Sequence, residues 1–117
     1  MEVFAIQKNI PMSAQKMREV VRQIQGLPAL EAQAVLAVVP RKGARVVAKT
    51  LQSAMANAED LKTHKPEYQG LQTDRLRVKL AVAGTATTLK RFQPKARGSA
   101  GPILKRRCHI KITLSDE

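Results

Sequence analysis

The sequence predicts an α+β fold: three helices packed on a small antiparallel three-stranded sheet, with a long basic β-hairpin protruding from it. Three observations carry this prediction. Apolar residues recur at helical spacing through the first sixty residues, and they alternate with cations in two later stretches. The 24 residues between those stretches are far too many for a turn. A chain of 117 residues allows one domain, read as residues 1–117, with residues 84–103 as an extended arm within it.

Taken in order, residues 3–10 are β-capable and are closed by Pro11; residues 3–6 offer a third strand to the sheet. Ser13 caps the first helix, its hydroxyl accepting from a first-turn amide. Ala14, Met17, Val21 and Ile24 follow at helical spacing, and Gly26 ends the run. Pro28 opens the second helix. Residues 30–39 are Ala-rich and apolar nearly all round, which predicts burial on several sides, and Pro40 stops them. In the third helix Ala44, Val47, Ala48, Leu51, Ala54, Met55 and Ala58 form a stripe of four turns. Lys42, Arg45 and Lys49 form a basic ridge with no carboxylate on it. Residues 61–70 read as a loop punctuated by Pro66 and Gly70, with Glu59 and Asp60 at the helix end before it.

Beyond residue 75 the period changes. Leu76, Val78, Leu80 and Val82 alternate with Arg75, Arg77, Lys79 and Ala81; Cys108, Ile110, Ile112 and Leu114 alternate with Arg107, His109, Lys111 and Thr113. Each is a two-faced strand, apolar inward and mostly cationic outward, and antiparallel pairing is the simplest arrangement. In their connection Pro94, Gly98, Gly101 and Pro102 mark turns. If residues 85–95 keep the strand direction, the ribbon projects about 30 Å at ~3.3 Å per residue. Such a ribbon is mobile until a polyanion neutralises it.

Charge points to the partner. Lys and Arg number 21 against 9 Asp and Glu, for a net +12 and a pI near 10.6. From residue 75 to residue 115 there are eleven cations and no carboxylate, while the other 76 residues hold ten against nine. A charge this high reads as a polyanion binder, of nucleic acid or an anionic membrane, and the asymmetry is a stronger clue than the net value. The candidate contacts are Lys16 and Arg18 on the first helix, Lys42, Arg45 and Lys49 on the third, and Arg77 and Lys79 on the first cationic strand. On the ribbon they are Lys90, Arg91, Phe92, Lys95, Arg97 and Gly98; on its return, Lys105, Arg106, Arg107, His109 and Lys111. Phe92 can stack on a base, and Gly98 suits a turn with positive φ or a close approach of a nucleic-acid backbone. With only three aromatics, stacking is not the main mode of recognition.

Other classes fare poorly. Cys108 and His109 are strand neighbours that point to opposite faces and cannot pair, and two histidines with one cysteine match no metal spacing. The carboxylates form no catalytic pair, and no phosphate-cradling glycine motif is present. No enzymatic activity, cofactor, metal or small-molecule substrate is expected. No apolar run approaches a membrane span, and a basic amphipathic helix is lacking, so no membrane partner is expected. The amino end lacks the order of a signal peptide, and one cysteine suits a reducing compartment; both indicate the cytoplasm. The alternative reading is an architectural DNA-binding protein that uses the basic ribbon as an arm, with Pro94 as a wedge.

Three blocks carry a resemblance. The first is Met12-Ser13-Ala14-Gln15-Lys16-Met17-Arg18 with Val20-Val21 and Gly26, and the second is residues 53–59, SAMANAE. The third, the most specific, is residues 90–100, KRFQPKARGSA, followed by Ile103-Leu104-Lys105-Arg106 and His109-Ile110. In this order, over nearly the whole chain, they resemble the bacterial form of the large-subunit ribosomal protein twenty-two family. That resemblance implies a small domain on the outside of the large subunit, near the tunnel mouth, in the cytoplasm. It implies a hairpin that penetrates the ribosomal RNA, contacts several of its domains, aids assembly and lines the nascent-chain exit tunnel. The implied partners are large-subunit ribosomal RNA, neighbouring ribosomal proteins and the nascent polypeptide.

Overall fold

The computed structural model describes residues 1–116. Its first strand, β1 (Glu2–Ile10), is followed by three helices: α1 (Ala14–Val21), α2 (Ala29–Val38) and α3 (Lys42–His64). Then come β2 (Arg77–Thr85), the ribbon strands β3 (Leu89–Pro94) and β4 (Ala100–Lys105), and β5 (Cys108–Ser115). The three-stranded sheet has the order β1-β5-β2, antiparallel throughout, and β3 pairs with β4 in a separate two-stranded ribbon. The mixed α+β class, the three helices and the hairpin are as the sequence predicts. The molecule measures 66 × 28 × 16 Å, the elongation expected of a ribbon standing off a body.

The helices cover one face of the sheet. Ile110, Ile112 and Leu114 of the central strand are fully buried against Met17, Val20, Val47 and Leu51 of the helix layer. Ser13 caps α1 as expected, its Oγ accepting from the Lys16 N–H at 3.4 Å; a cap of this kind contributes about 1 kcal/mol. Along α3 the small residues Ala44, Ala54 and Ala58 let the helix lie close to the sheet, and Gly43 lies tight against the ends of two methionine side chains. A Cβ there would stand 3.0 Å from Met17 Sδ and 3.3 Å from Met12 Sδ.

Five local expectations are corrected. The first helix ends at Val21 rather than running to Gly26, because the chain tightens into i→i+3 turns to reach the edge of β2. Gly26, with φ +81°, makes that turn, and Ile24 stays buried within it. Second, α2 is buried on one side only: Ala29, Ala32 and Leu36 face inward, whereas Leu30 and Val38 are 72% and 79% exposed. It packs mainly on α3, with its far side exposed at Leu30 and Val38. Third, α3 runs through residues 59–64, read as helix end and loop. Leu61 continues the stripe from Ala58, and His64 pairs with Asp60 one turn back. Lys65, before Pro66, is extended, so the proline does punctuate the chain.

The fourth correction concerns β2. A register shift between Val78 and Leu80 inserts Lys79 as an extra residue opposite β5. One inserted residue turns every later side chain to the other face. Leu80 and Val82, expected inside, are therefore exposed, and Ala81 and Ala83 take the core positions. Fifth, Pro94, Gly101 and Pro102 lie in paired ribbon strands, with Pro94 opposite Ala100 and Phe92 opposite Pro102. In a two-stranded ribbon every strand is an edge, so a missing N–H is tolerated. Gly84 and Thr85 pair with His109 and Cys108 in the three-stranded sheet, so the ribbon leaves the body at residue 86.

Candidate nucleic-acid interface

The ribbon is exposed nearly everywhere. Lys90, Arg91, Lys95, Arg97, Lys105 and Arg106 all face solvent, and Phe92 is 78% exposed. Its strands pack on each other, and a neck of irregular residues, 86–88 and 106–107, joins them to the body. One backbone hydrogen bond spans the neck, from Ala86 N–H to Arg107 O at 3.1 Å. At the tip Arg97 (φ 62°, ψ 30°) and Gly98 (φ 74°) are left-handed in succession, and Ser99 N–H returns to Ala96 O. Two left-handed residues in succession reverse the chain, and the register that sets Pro94 opposite Ala100 leaves residues 95–99 as the connection. Gly98 fits that position freely. Arg97 carries left-handed strain of about 1 kcal/mol, which no residue pattern in the sequence announced.

At the root of the arm the cations converge. A cleft of about 910 Å³ opens between residues 104–107 on the ribbon side and residues 11–16 with Lys42 on the body side. Lys16, Lys42, Lys105, Arg106 and Arg107 line it with Met12, Ser13 and Gln15, and no carboxylate does. The close approach of Gly43 to Met12 and Met17 is what sets the start of α3, and with it Lys42, beside the start of α1. Five cations on opposing walls of one cleft suit a phosphodiester chain laid between them.

A β-bulge positions the ribbon side. Between Gln7 and Ile10 the β1–β5 register shifts, and Asn9 adopts φ 56°, a conformation that asparagine tolerates better than most residues. Its backbone groups, turned off the ladder, are met by side chains of β5 and the neck. Asn9 N–H donates to His109 Nδ1 at 3.1 Å, and Arg107 Nη1 donates to Asn9 O at 3.3 Å. Since the backbone N–H can only donate, His109 Nδ1 accepts and the proton of the neutral ring sits on Nε2. His109 and Arg107 thus hold the body end of the ribbon, a role that sequence reasoning missed. An asparagine ahead of Ile-Pro was its only signal.

The remaining candidates lie apart from this cleft. Arg18 Nε donates to Ala83 O at 3.0 Å and, with Gln25 bonded to Ala81 O, covers the edge of β2. Arg45 and Lys49 continue the exposed ridge of α3, with Arg45 and Lys42 sharing a shallow hollow against the end of α2. Arg77 and Lys79 sit at the end of β2 remote from the neck, roughly 23–30 Å from it at ~3.3 Å per residue. Lys79 is engaged by the Glu2 carboxylate, and that ammonium holds the Glu2 carboxyl below its usual range. Lys111 lies on the helix-free face of the sheet with Nζ 4.9 Å from the Phe4 ring centroid. Cys108 is buried, and burial pushes its thiol pKa up, so the neutral thiol is a core residue and not a nucleophile.

Among the described residues no group of three or more His, Cys, Asp or Glu could hold a metal ion. No helix is long and apolar enough to cross a membrane. A family model described as ribosomal protein L22p/L17e matches residues 5–115. The large ribosomal subunit protein uL22 of Opitutus terrae is 48% identical over 116 residues, covering 99% of this chain and 96% of its own. The protein of the same name from Akkermansia muciniphila is 43% identical over 117 residues, covering 100% of this chain and 98% of its own.

Proposed function

The chain belongs to the ribosomal protein L22p/L17e family, a structural constituent of the large ribosomal subunit and not an enzyme, and from that premise we propose how it is anchored there. Its place is the ribosome of the cytoplasm, among ribosomal RNA and other ribosomal proteins. The cleft and the ribbon stems bind large-subunit ribosomal RNA and help to assemble it, and the ribbon tip lines the exit tunnel beside the nascent polypeptide. The observation that carries this reading is the carboxylate-free run of cations that begins in the cleft and continues along an exposed ribbon. A ribbon with no packed core gains its fixed shape by neutralisation against phosphates rather than by burial. The tip, residues 94–101, is small and carries two cations, which suits a passage wall better than an anchor.

The test separates stem from tip. Lys105→Glu with Arg106→Glu turns two cations of the cleft wall into repulsive groups and should lower occupancy in purified large subunits. Deleting residues 95–100 should leave occupancy intact and alter chemical probing of tunnel RNA. Full occupancy of the charge-reversed chain, with loss of the tip-deleted one, would overturn this division of labour.

A further inference from the structure

β1, β5 and β2 give one face to the helices and leave the other bare. On the bare face the cross-strand register sets two rows side by side. Phe4, Thr113 and Leu80 form one, and Ile6, Lys111 and Val82 form the next. Thr113 is buried between its neighbours, while Phe4, Ile6, Leu80 and Val82 are 53%, 47%, 46% and 44% exposed. The Lys79 bulge brings half of this patch into being, since without the extra residue β2 would turn Ala81 and Ala83 outward. Single exposed apolar residues are ordinary, whereas four in adjoining rows make a contiguous patch.

The edges of the sheet bear on how such a patch is used. Along β2, Gly26 N–H donates to Val78 O, Gln25 to Ala81 O and Arg18 to Ala83 O. Beside β1, Asn57 Nδ2 donates to Phe4 O at 3.2 Å. With the β2 edge engaged along its length and the β1 edge met by Asn57 at Phe4, a partner that lies across the face covers these side chains, which one added as a strand would not. Electrostatics then select its kind. The ribbon and the cleft carry no carboxylate, but this face carries Glu2, already paired with Lys79 at its rim. A phosphate chain would meet that anion on an apolar surface. Lys111 stands between Ile6 and Val82 and over Phe4, a cation set among apolar side chains, with Lys8 exposed next along β1, and it is the complement of a carboxylate.

We infer that this face docks a neighbouring protein of the large subunit, which lays apolar side chains across Phe4, Ile6, Leu80 and Val82 and sets a carboxylate against Lys111. The inference rests on assembly of the chain into large subunits. In the test, a photo-crosslinking phenylalanine analogue replaces Val82 in one full-length chain and Arg91 of the ribbon in another. Both are irradiated in purified large subunits. Position 82 should give a protein adduct, mapped to a segment with an Asp or Glu within a few residues of the linked site, and position 91 an RNA adduct. Adding Lys111→Glu should cut the position-82 adduct by roughly tenfold or more, whereas Lys111→Arg should keep it. An RNA adduct at position 82, no adduct, or one indifferent to Lys111→Glu overturns the inference while leaving the RNA-binding reading intact. Absence of the chain from large subunits overturns both.

Discussion

Between Gly84 and Arg107 no side chain is fully buried, while the residues on either side, Ala83 and Cys108, are 2% and 0% exposed. Two regions of one chain, continuous through paired strands, therefore hold their shapes by different means. The body buries apolar stripes from three helices against one face of a sheet, and that burial is complete without any partner. The arm has a left-handed turn at its tip and a ladder of strand pairs, but its cations repel one another along an exposed ribbon. Stability belongs to the body, and the proposed recognition to the arm and the cleft at its root.

This contrast fails if a core change and an arm change cost the same. Leu51→Ala opens a cavity beneath the sheet and should destabilise the free protein by about 2–5 kcal/mol in chemical denaturation. Phe92→Ala should stay within about 0.5 kcal/mol, because its ring meets solvent. A large loss at Phe92 would mean that the arm packs on something in the free chain.

The opposite ranking is read in binding. Changing Lys90, Arg91, Lys95 and Arg97 together to Gln should flatten the log–log salt dependence of RNA binding by about three units, at ~0.7–0.9 for each phosphate left without its cation. The same four changes should leave the thermal midpoint of the body within a degree or two, or raise it slightly as like charges are removed. An unchanged slope would place these cations away from phosphate.

A smaller effect concerns the electrostatics of the body. Lys79 holds the Glu2 carboxyl below its usual range, so the pair's contribution is present above the unfolded pKa. That contribution disappears as pH falls through the lower, folded value. The thermal midpoint should therefore drop on acidification through the carboxylate range, and Glu2→Gln should drop less steeply over the same window. The pair is exposed, so the difference is small. Identical pH profiles would mean that the two groups do not interact in solution.

The smallest effect lies at the tip. Arg97→Asn puts a residue more tolerant of φ 62° into the turn, relieving about 0.5–1 kcal/mol of left-handed strain. Exchange protection of the Lys95 amide, bonded to Ser99 O at 2.6 Å, should rise a few-fold, with the midpoint of the body unchanged. A fall in protection would show that Arg97 holds the tip through its side chain.

Local patterns along the chain were enough to specify the class of the fold, the three helices, the two-faced strands and the segregation of charge. Each of these follows from a repeat or a count: spacing along α3, alternation in β5, and a cationic run without carboxylates. Legible for the same reason were the cap at Ser13, the buried Cys108 and the turn at Gly98. Only the folded chain settles which cations meet. Lys16, Lys42 and Arg106 are far apart in sequence and share a cleft only because Gly43 lets α3 close on α1 and the Asn9 bulge ties the neck to β1. Folding also settles which way β2 faces. A strand's alternation fixes two sets of residues but not which set is buried past an inserted residue. That choice was made by pairing with β5, where the register slip at Lys79 put alanines in the core and Leu80 and Val82 in the open. Pairing partners lie some thirty residues away, and no local pattern records them.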